Sequence, residues 1–291
     1  MKKLIALGVS IVILITAFVL LPKQKNEEVI AGPGSKKDEK IESPAELHDA
    51  LISVAGYDGS VEKGTYTLSY DIVYDSDYEY RSGKGTTMVY LAEDIEYCKL
   101  NGSYVSRVED DDDNDVLTVV FDIELYAEDD EMAVRFNFFD GYSNTKIEPA
   151  LPVDQIGVWF EVDESNYYSI KNFFGGYFVE AVYEAIMNNR LTSDDDDDVY
   201  VYDSSKNKTP GDYSDRYEYE YVSVDLSEAT KPVCEYHSDR SFNAGDRYEY
   251  IDMTLTMSNI NNIEIEFDLD DVDLKKEKAL DWDIIEDIID F

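Results

Sequence analysis

From Thr65 onward the chain alternates apolar and polar residues with a period of two over long stretches. "TYTLSYDIVY" puts Tyr66, Leu68, Tyr70, Ile72 and Tyr74 on one side, with mostly polar residues opposite. "VLTVVFDIELY" aligns Leu117, Val119, Phe121, Ile123 and Leu125, and "EMAVRFNFF" aligns Met132, Val134, Phe136 and Phe138. Later, "IDMTLTM" aligns Ile251, Met253, Leu255 and Met257, while "NIEIEFDLDD" alternates Ile263, Ile265, Phe267 and Leu269 with acids. Strands with one dry and one wet face belong to an antiparallel sheet covered on one side. Adding "TTMVYLA", "DIEYCKL", "GVWFEV", "DVYVYD" and "RYEYEYVSV", the pattern predicts about ten strands at the spacing of a large meander. "LNGSY", Leu100 to Tyr104, predicts a two-residue hairpin turn, because Asn-Gly accepts positive φ.

Three stretches switch to the helical period. "SPAELHDALISVAGYDG" opens with Ser43 as N-cap, Pro44 in the first turn and Glu46 closing a capping box. Leu47, Leu51 and Val54 then share one face, and Gly56 is the natural stop. Residues Ser165 to Arg190 read as helix broken at Gly175-Gly176, with Phe178, Val182, Ala185 and Ile186 on one side. "KKEKALDWDIIEDIIDF" aligns Leu280, Ile284, Ile288 and Phe291 as an amphipathic helix. The expected fold class is α+β: a large curved antiparallel sheet, half-barrel-like, with helices packed on one face.

Ahead of this lies "MKK" and then eighteen uncharged residues, Leu4 to Leu21, just long enough to cross a bilayer as a helix. Two lysines in front and an acidic bulk behind favour an inside N-terminus and an exported remainder. The expected organisation is a transmembrane signal-anchor over 1–22, a flexible linker over 23–42 and an extracytoplasmic domain over 43–291. The localisation that follows is the cell membrane, single-pass; the alternative is secretion after signal cleavage.

Composition narrows the partners. The formal charge is −40, which repels nucleic acid and anionic lipid headgroups. Tyr outnumbers Phe, 24 to 12, so many rings are expected half-buried with the hydroxyl toward water. Cys98 and Cys234 are the only cysteines. In an exported chain they either pair or stand as two buried free thiols.

Catalytic motifs are scarce. His48 and His237 are the only histidines, and on a strand Cys234 and His237 in "VCEYHSDR" point to opposite faces. Acids are so abundant that no carboxylate pair stands out for glycoside hydrolysis. No phosphate-cradling glycine loop, HExxH or CxxC pair is present, and no cofactor is expected. Tyr217, Tyr219 and Tyr221 share one strand face and Tyr248 and Tyr250 another, rows suited to stacking on a ligand or to a half-buried sheet face.

Several stretches together resemble the LolA/LppX-like lipoprotein-carrier superfamily. "MVYLAEDIEYCKLNGSYVSR" is similar to that family's strand, Asn/Gly turn, strand hairpin. "GVWFEVDES" resembles its tryptophan strand leading into helices, and "MTLTMSNINNIEIEF" its closing hairpin. The resemblance implies a curved sheet wrapped around helices with a hydrophobic cavity, and a non-enzymatic role holding a lipid or other apolar ligand. On that basis Leu68, Phe121, Phe136, Phe178, Ile186 and Met253 are the cavity candidates. The competing expectation is a cell-surface interaction protein whose acidic loops and exposed tyrosines bind a cationic partner, a glycan or divalent ions.

The acidic loops are the last candidates. Asp194, Asp196 and Asp198 have the spacing that opens a calcium loop, but Val199 stands where the required glycine should be and Ser205 where the glutamate should be. Adjacent carboxylates repel, and a divalent ion relieves that, so weak calcium binding is one expectation. The other is a solvated hairpin tip with gatekeeping charge. Under the first, a calcium titration should raise the melting temperature, and replacing Asp194 to Asp198 with Ser should abolish the shift. A shift that survives the replacement removes the site.

Overall fold

The computed structural model describes residues 31–34, 37, 40–55, 64–76, 79–92, 95–110, 113–129, 131–145, 147, 149–176, 182, 184–187, 191–193, 198–204, 217–242, 247–259 and 262–289. No helix among the described residues is long and apolar enough to cross a membrane, and the apolar segment 4–21 lies outside them.

Five long strands run as an antiparallel meander: β2 (Gly64–Ser76), β3 (Glu79–Ala92), β4 (Ile95–Asp110), β5 (Asp113–Glu128) and β6 (Glu131–Ser143). Their 13 to 16 residues correspond to roughly 44–54 Å at the usual antiparallel rise per residue. A second antiparallel series comprises β8 (Thr192–Ser193), β9 (Val199–Asp203), β10 (Tyr217–Asp225), β11 (Val233–Phe242) and β12 (Arg247–Ser258). The two series join where β12 pairs with β2. Beyond β6, β7 (Trp159–Glu161) and β14 (Lys275–Lys276) complete one edge, and β14 pairs with β7 in parallel, the only such pairing among the described residues. The end strands do not pair with each other, so the sheet stays open.

Register explains the core. Directly opposed residues share a face, so Val134, Leu125, Cys98, Val89, Tyr66 and Met257 form one apolar row across six strands. The next row runs Phe136, Ile123, Leu100, Thr87, Leu68, Leu255, Cys234 and Val224. All of these residues are buried. Helix residues join the same cluster: Leu47 of α1 (Pro44–Ala55), Tyr167 and Ile170 of α2 (Glu164–Lys171), and Ile285 and Ile288 of α3 (Trp282–Ile289). Ser43 caps α1 by accepting from the Glu46 amide at 3.2 Å, and Asp163 caps α2 by accepting from Asn166 at 2.8 Å.

Three local expectations give way to packing. Asn101-Gly102 does not turn: β4 passes straight through it. Gly102 instead faces Gly85, and a Cβ on Gly85 would meet the Tyr70 hydroxyl at 2.8 Å while one on Gly102 would meet the Phe121 ring at 3.0 Å. The glycines make a slot for rings, and Tyr70 donates through it to the Phe174 carbonyl at 3.2 Å. A bulge between Asp122 and Ile123 puts Phe139, rather than Phe138, on the buried face beside Phe136. The stretch after β12 does not fold back on it: β13 (Ile263–Ile265) pairs with β1 (Ala31–Pro33) as a separate two-stranded ribbon. The linker stretch is thereby docked at β1, and again at Ile41, which is buried and bonds the Ala229 carbonyl at 2.8 Å.

One ion pair ties α2 to the sheet. Glu96 lies on the core face of β4, and its carboxylate accepts from Lys171 Nζ and from the Tyr167 hydroxyl, each at 2.7 Å. Burial raises the Glu96 carboxyl, but the Lys171 charge and the two hydrogen bonds outweigh it and hold the group below its ordinary value. Burial lowers Lys171, and the Glu96 charge more than reverses that. The Glu96 contribution to stability is therefore present above about pH 4.3 and fades as pH falls through its lowered folded value. The Lys171 contribution is present below about pH 10.4 and fades as pH rises through its raised one. At neutral pH, Lys171→Met should lose about 3–5 kcal/mol in urea unfolding, and Glu96→Leu added to it should recover most of that loss.

Candidate functional site

Of the cavity candidates, Leu68, Phe121, Phe136, Ile186 and Met253 are all buried in the main cluster, and Phe178 lies outside the described residues. The volume over them holds protein. After α2 the chain makes a single π-helical turn, Asn172–Gly176. Phe174 from that turn sits 4.8 Å from the Phe121 ring and 5.8 Å from Phe139. Gly175 lies so close to the sheet that a Cβ there would be 2.6 Å from both Leu100 Cδ2 and Thr87 Oγ1.

Cys98 and Cys234 are free, buried thiols on that same face, four strands apart in the sheet order. Neighbouring strands are about 4.8 Å apart, whereas a disulfide needs Cα atoms within about 7 Å. Burial pushes the Cys234 thiol up to about 12, so it stays protonated and inert. In the acidic run Asp194 and Asp196 lie outside the described residues; Asp198 is an exposed turn residue whose carbonyl accepts from the Leu226 amide at 2.9 Å. No group of three metal-ligating side chains occurs among the described residues.

The opposite face divides in two. Toward β7 it is covered by residues 263–274, which bury Tyr97, Tyr126, Ala133, Trp159 and Leu269 together. Inside, Glu124 accepts from Tyr97 and from Arg135 Nε, each at 2.6 Å, and the Arg135 guanidinium lies 4.8 Å from the Trp159 ring centre. That charge pair is matched and enclosed, a structural element. Beside it an open cleft of about 480 Å³ is lined by Glu131, Glu161, Asp270, Asp273 and Lys276 among others. Its lysine, Lys276, is engaged with Glu161 inside the cleft, and the adjacent Lys275 is paired with Asp273.

Toward β10 the same face is open and differently built. His237 of β11 lies diagonally between two tyrosines, with its ring 5.6 Å from Tyr219 of β10 and 5.3 Å from Tyr250 of β12. Asp239 stands in register between those tyrosines, and Asp252 is directly opposite His237, with Oδ1 3.9 Å from Nδ1. Across the seam, Asp252 is directly opposite Asp71. Like charges placed opposite one another destabilise a sheet, so this arrangement costs the fold something. Lys84 offsets part of it by donating to Asp71 at 2.7 Å, which raises the lysine. Tyr250 is raised by its partial burial and by the charges of Asp252 and Asp71.

The tyrosine rows were visible as alternation, but the central residue was not. "VCEYHSDR" alone says only that His237 lies opposite Cys234; its place between Tyr219 and Tyr250 follows from the register of three strands. The chain matches no protein-family model, no curated protein and no solved structure.

The contact of the π-helical turn with the sheet leaves one buried hydroxyl, Thr87 Oγ1, with no hydrogen-bond partner among the described residues. Thr87→Val keeps the shape and deletes the stranded group, so it should raise stability by about 1 kcal/mol in denaturant unfolding. A loss of stability would mean that the hydroxyl is bonded.

Proposed function

We propose that the protein is a non-enzymatic binding protein, held at the membrane by residues 4–21 with its sheet domain outside the cell. Its ligand surface is the open polar face of β10, β11 and β12, and its ligand is a cationic segment of a partner. The observation that carries this is the Tyr219–His237–Tyr250 frame beside Asp252, with Asp71 opposed to Asp252 in register. Aromatic faces and carboxylates together attract ammonium and guanidinium groups. A directly opposed carboxylate pair is the kind of local cost that function retains and stability alone does not. The protein's own cations already use such contacts: Arg107 lies 5.0 Å over Tyr80 and Arg247 5.0 Å over Tyr74.

An apolar ligand between a curved, half-barrel-like sheet and the helices is the second reading. Long strands with native twist favour that curvature. It requires a ligand to displace Phe174 and Gly175 from Leu100, Thr87 and Phe121, which now fill that space.

Calorimetry with a lysine-rich decapeptide at pH 7.5 tests the first reading. Binding should weaken with added salt, and Tyr250→Ala should reduce affinity roughly fivefold. Asp252→Asn should also weaken binding while raising the melting temperature, because it removes one of two opposed charges. Salt-independent binding of a neutral oligosaccharide in place of the peptide would overturn the cationic ligand.

A further inference from the structure

The ligand face carries its own titratable competitor. We infer that His237 is a pH gate: protonation of its imidazole expels the cationic ligand, and ligand binding in turn expels the proton. The inference rests on the proposed cationic ligand and adds its regulation.

His237 occupies the centre of the patch rather than its rim, with 29% of its side chain exposed. The groups around it come from six strands. β10 contributes Tyr219 and Tyr221, β11 contributes Glu235 and Asp239, and β12 contributes Tyr250 and Asp252. Farther out stand Asp71 of β2 with Lys84 of β3, and Asp203 of β9 opposite Tyr221. Among these described groups Lys84 is the permanent cation, and it is engaged with Asp71. Every other ionisable group among them is a carboxyl or a phenol. Imidazole is the side chain that ordinarily gains positive charge between pH 8 and 5, a range in which ordinary carboxylates keep their charge.

A proton on this ring changes the site in two ways. It places a positive charge 3.9 Å from the Asp252 carboxylate, which then has an internal partner. It also turns the ring between Tyr219 and Tyr250 into a cation lying against both aromatic neighbours. A ligand ammonium then loses its carboxylate and meets a like charge. Two unit charges about 4 Å apart in a water-like medium correspond to roughly a fivefold change in affinity. Linkage makes the effect reciprocal, so the ligand must release protons when it binds.

The test uses the full-length protein in detergent micelles and the lysine-rich decapeptide, with calorimetry at pH 7.5 and 5.5. At pH 6.5 it is repeated in two buffers of different ionisation enthalpy, which counts protons released. Wild-type affinity should fall about fivefold between pH 7.5 and 5.5, with net proton release at pH 6.5. His237→Gln should bind equally at both pH values and release no protons. His237→Lys should bind weakly at both, reproducing the protonated state. A fivefold fall that persists in His237→Gln would overturn the gate and leave the cationic ligand standing. Absence of any peptide binding to the wild type at pH 7.5 would instead overturn the ligand, and the gate with it.

Discussion

The pairing of β2 with β12 is the contact on which the rest of the molecule depends. It joins two meanders, each assembled largely from sequential strands, into one sheet. Closing so long a loop costs entropy, but that cost grows only slowly with length. Against it stand the buried pairs Tyr66–Met257, Leu68–Leu255 and Tyr70–Met253, which carry the apolar rows unbroken across the seam. The same register sets the other face, where it puts Asp71 against Asp252. A slip of one residue would turn both sets to the wrong side, so the core and the opposite, polar face are specified by a single choice.

Three polar clusters show how burial decides role. Glu96 with Lys171 and Tyr167 holds a helix to the sheet, and Glu124 with Arg135 and Tyr97 fills the space under residues 263–274. In both, charge is matched and each carboxylate accepts from two side chains, which is what tolerates removal from water. The cluster around His237 lies in the open, and its carboxylates outnumber its cations. Matched and enclosed groups stabilise; a surface set with surplus negative charge attracts cations.

Much of the sheet was legible from alternation alone. The runs through Tyr66–Tyr74, Leu117–Leu125 and Ile251–Met257 all face the core as the period of two predicts, apart from the partly exposed outer positions Ile72, Tyr74 and Ile251. Alternation failed where packing between strands overrode local chemistry. Asn101-Gly102 has ideal turn residues, yet the glycine serves ring packing with Gly85. Phe138 changed sides because the bulge beside Asp122 adds a residue to one strand, which no single-strand pattern reveals. The site was half legible for a similar reason. Tyr219 and Tyr250 stood out as members of tyrosine rows, whereas His237 gained meaning only through neighbours distant in sequence.

The way the chain finishes the β6 side of the sheet has a consequence for strand addition along that rim. Past its short pairing with β7, the outer rim of β6 is met by irregular chain: the Gly157 amide bonds the Phe136 carbonyl at 2.8 Å, and the Leu151 amide bonds the Phe139 carbonyl at 3.4 Å. Main-chain groups that would otherwise template an incoming strand are thus occupied by bends that no straight strand can extend. An extended chain arriving there would meet side chains rather than free backbone. Under the proposed cationic ligand, recognition would depend instead on charge and ring chemistry, and so on ionic strength and acidity.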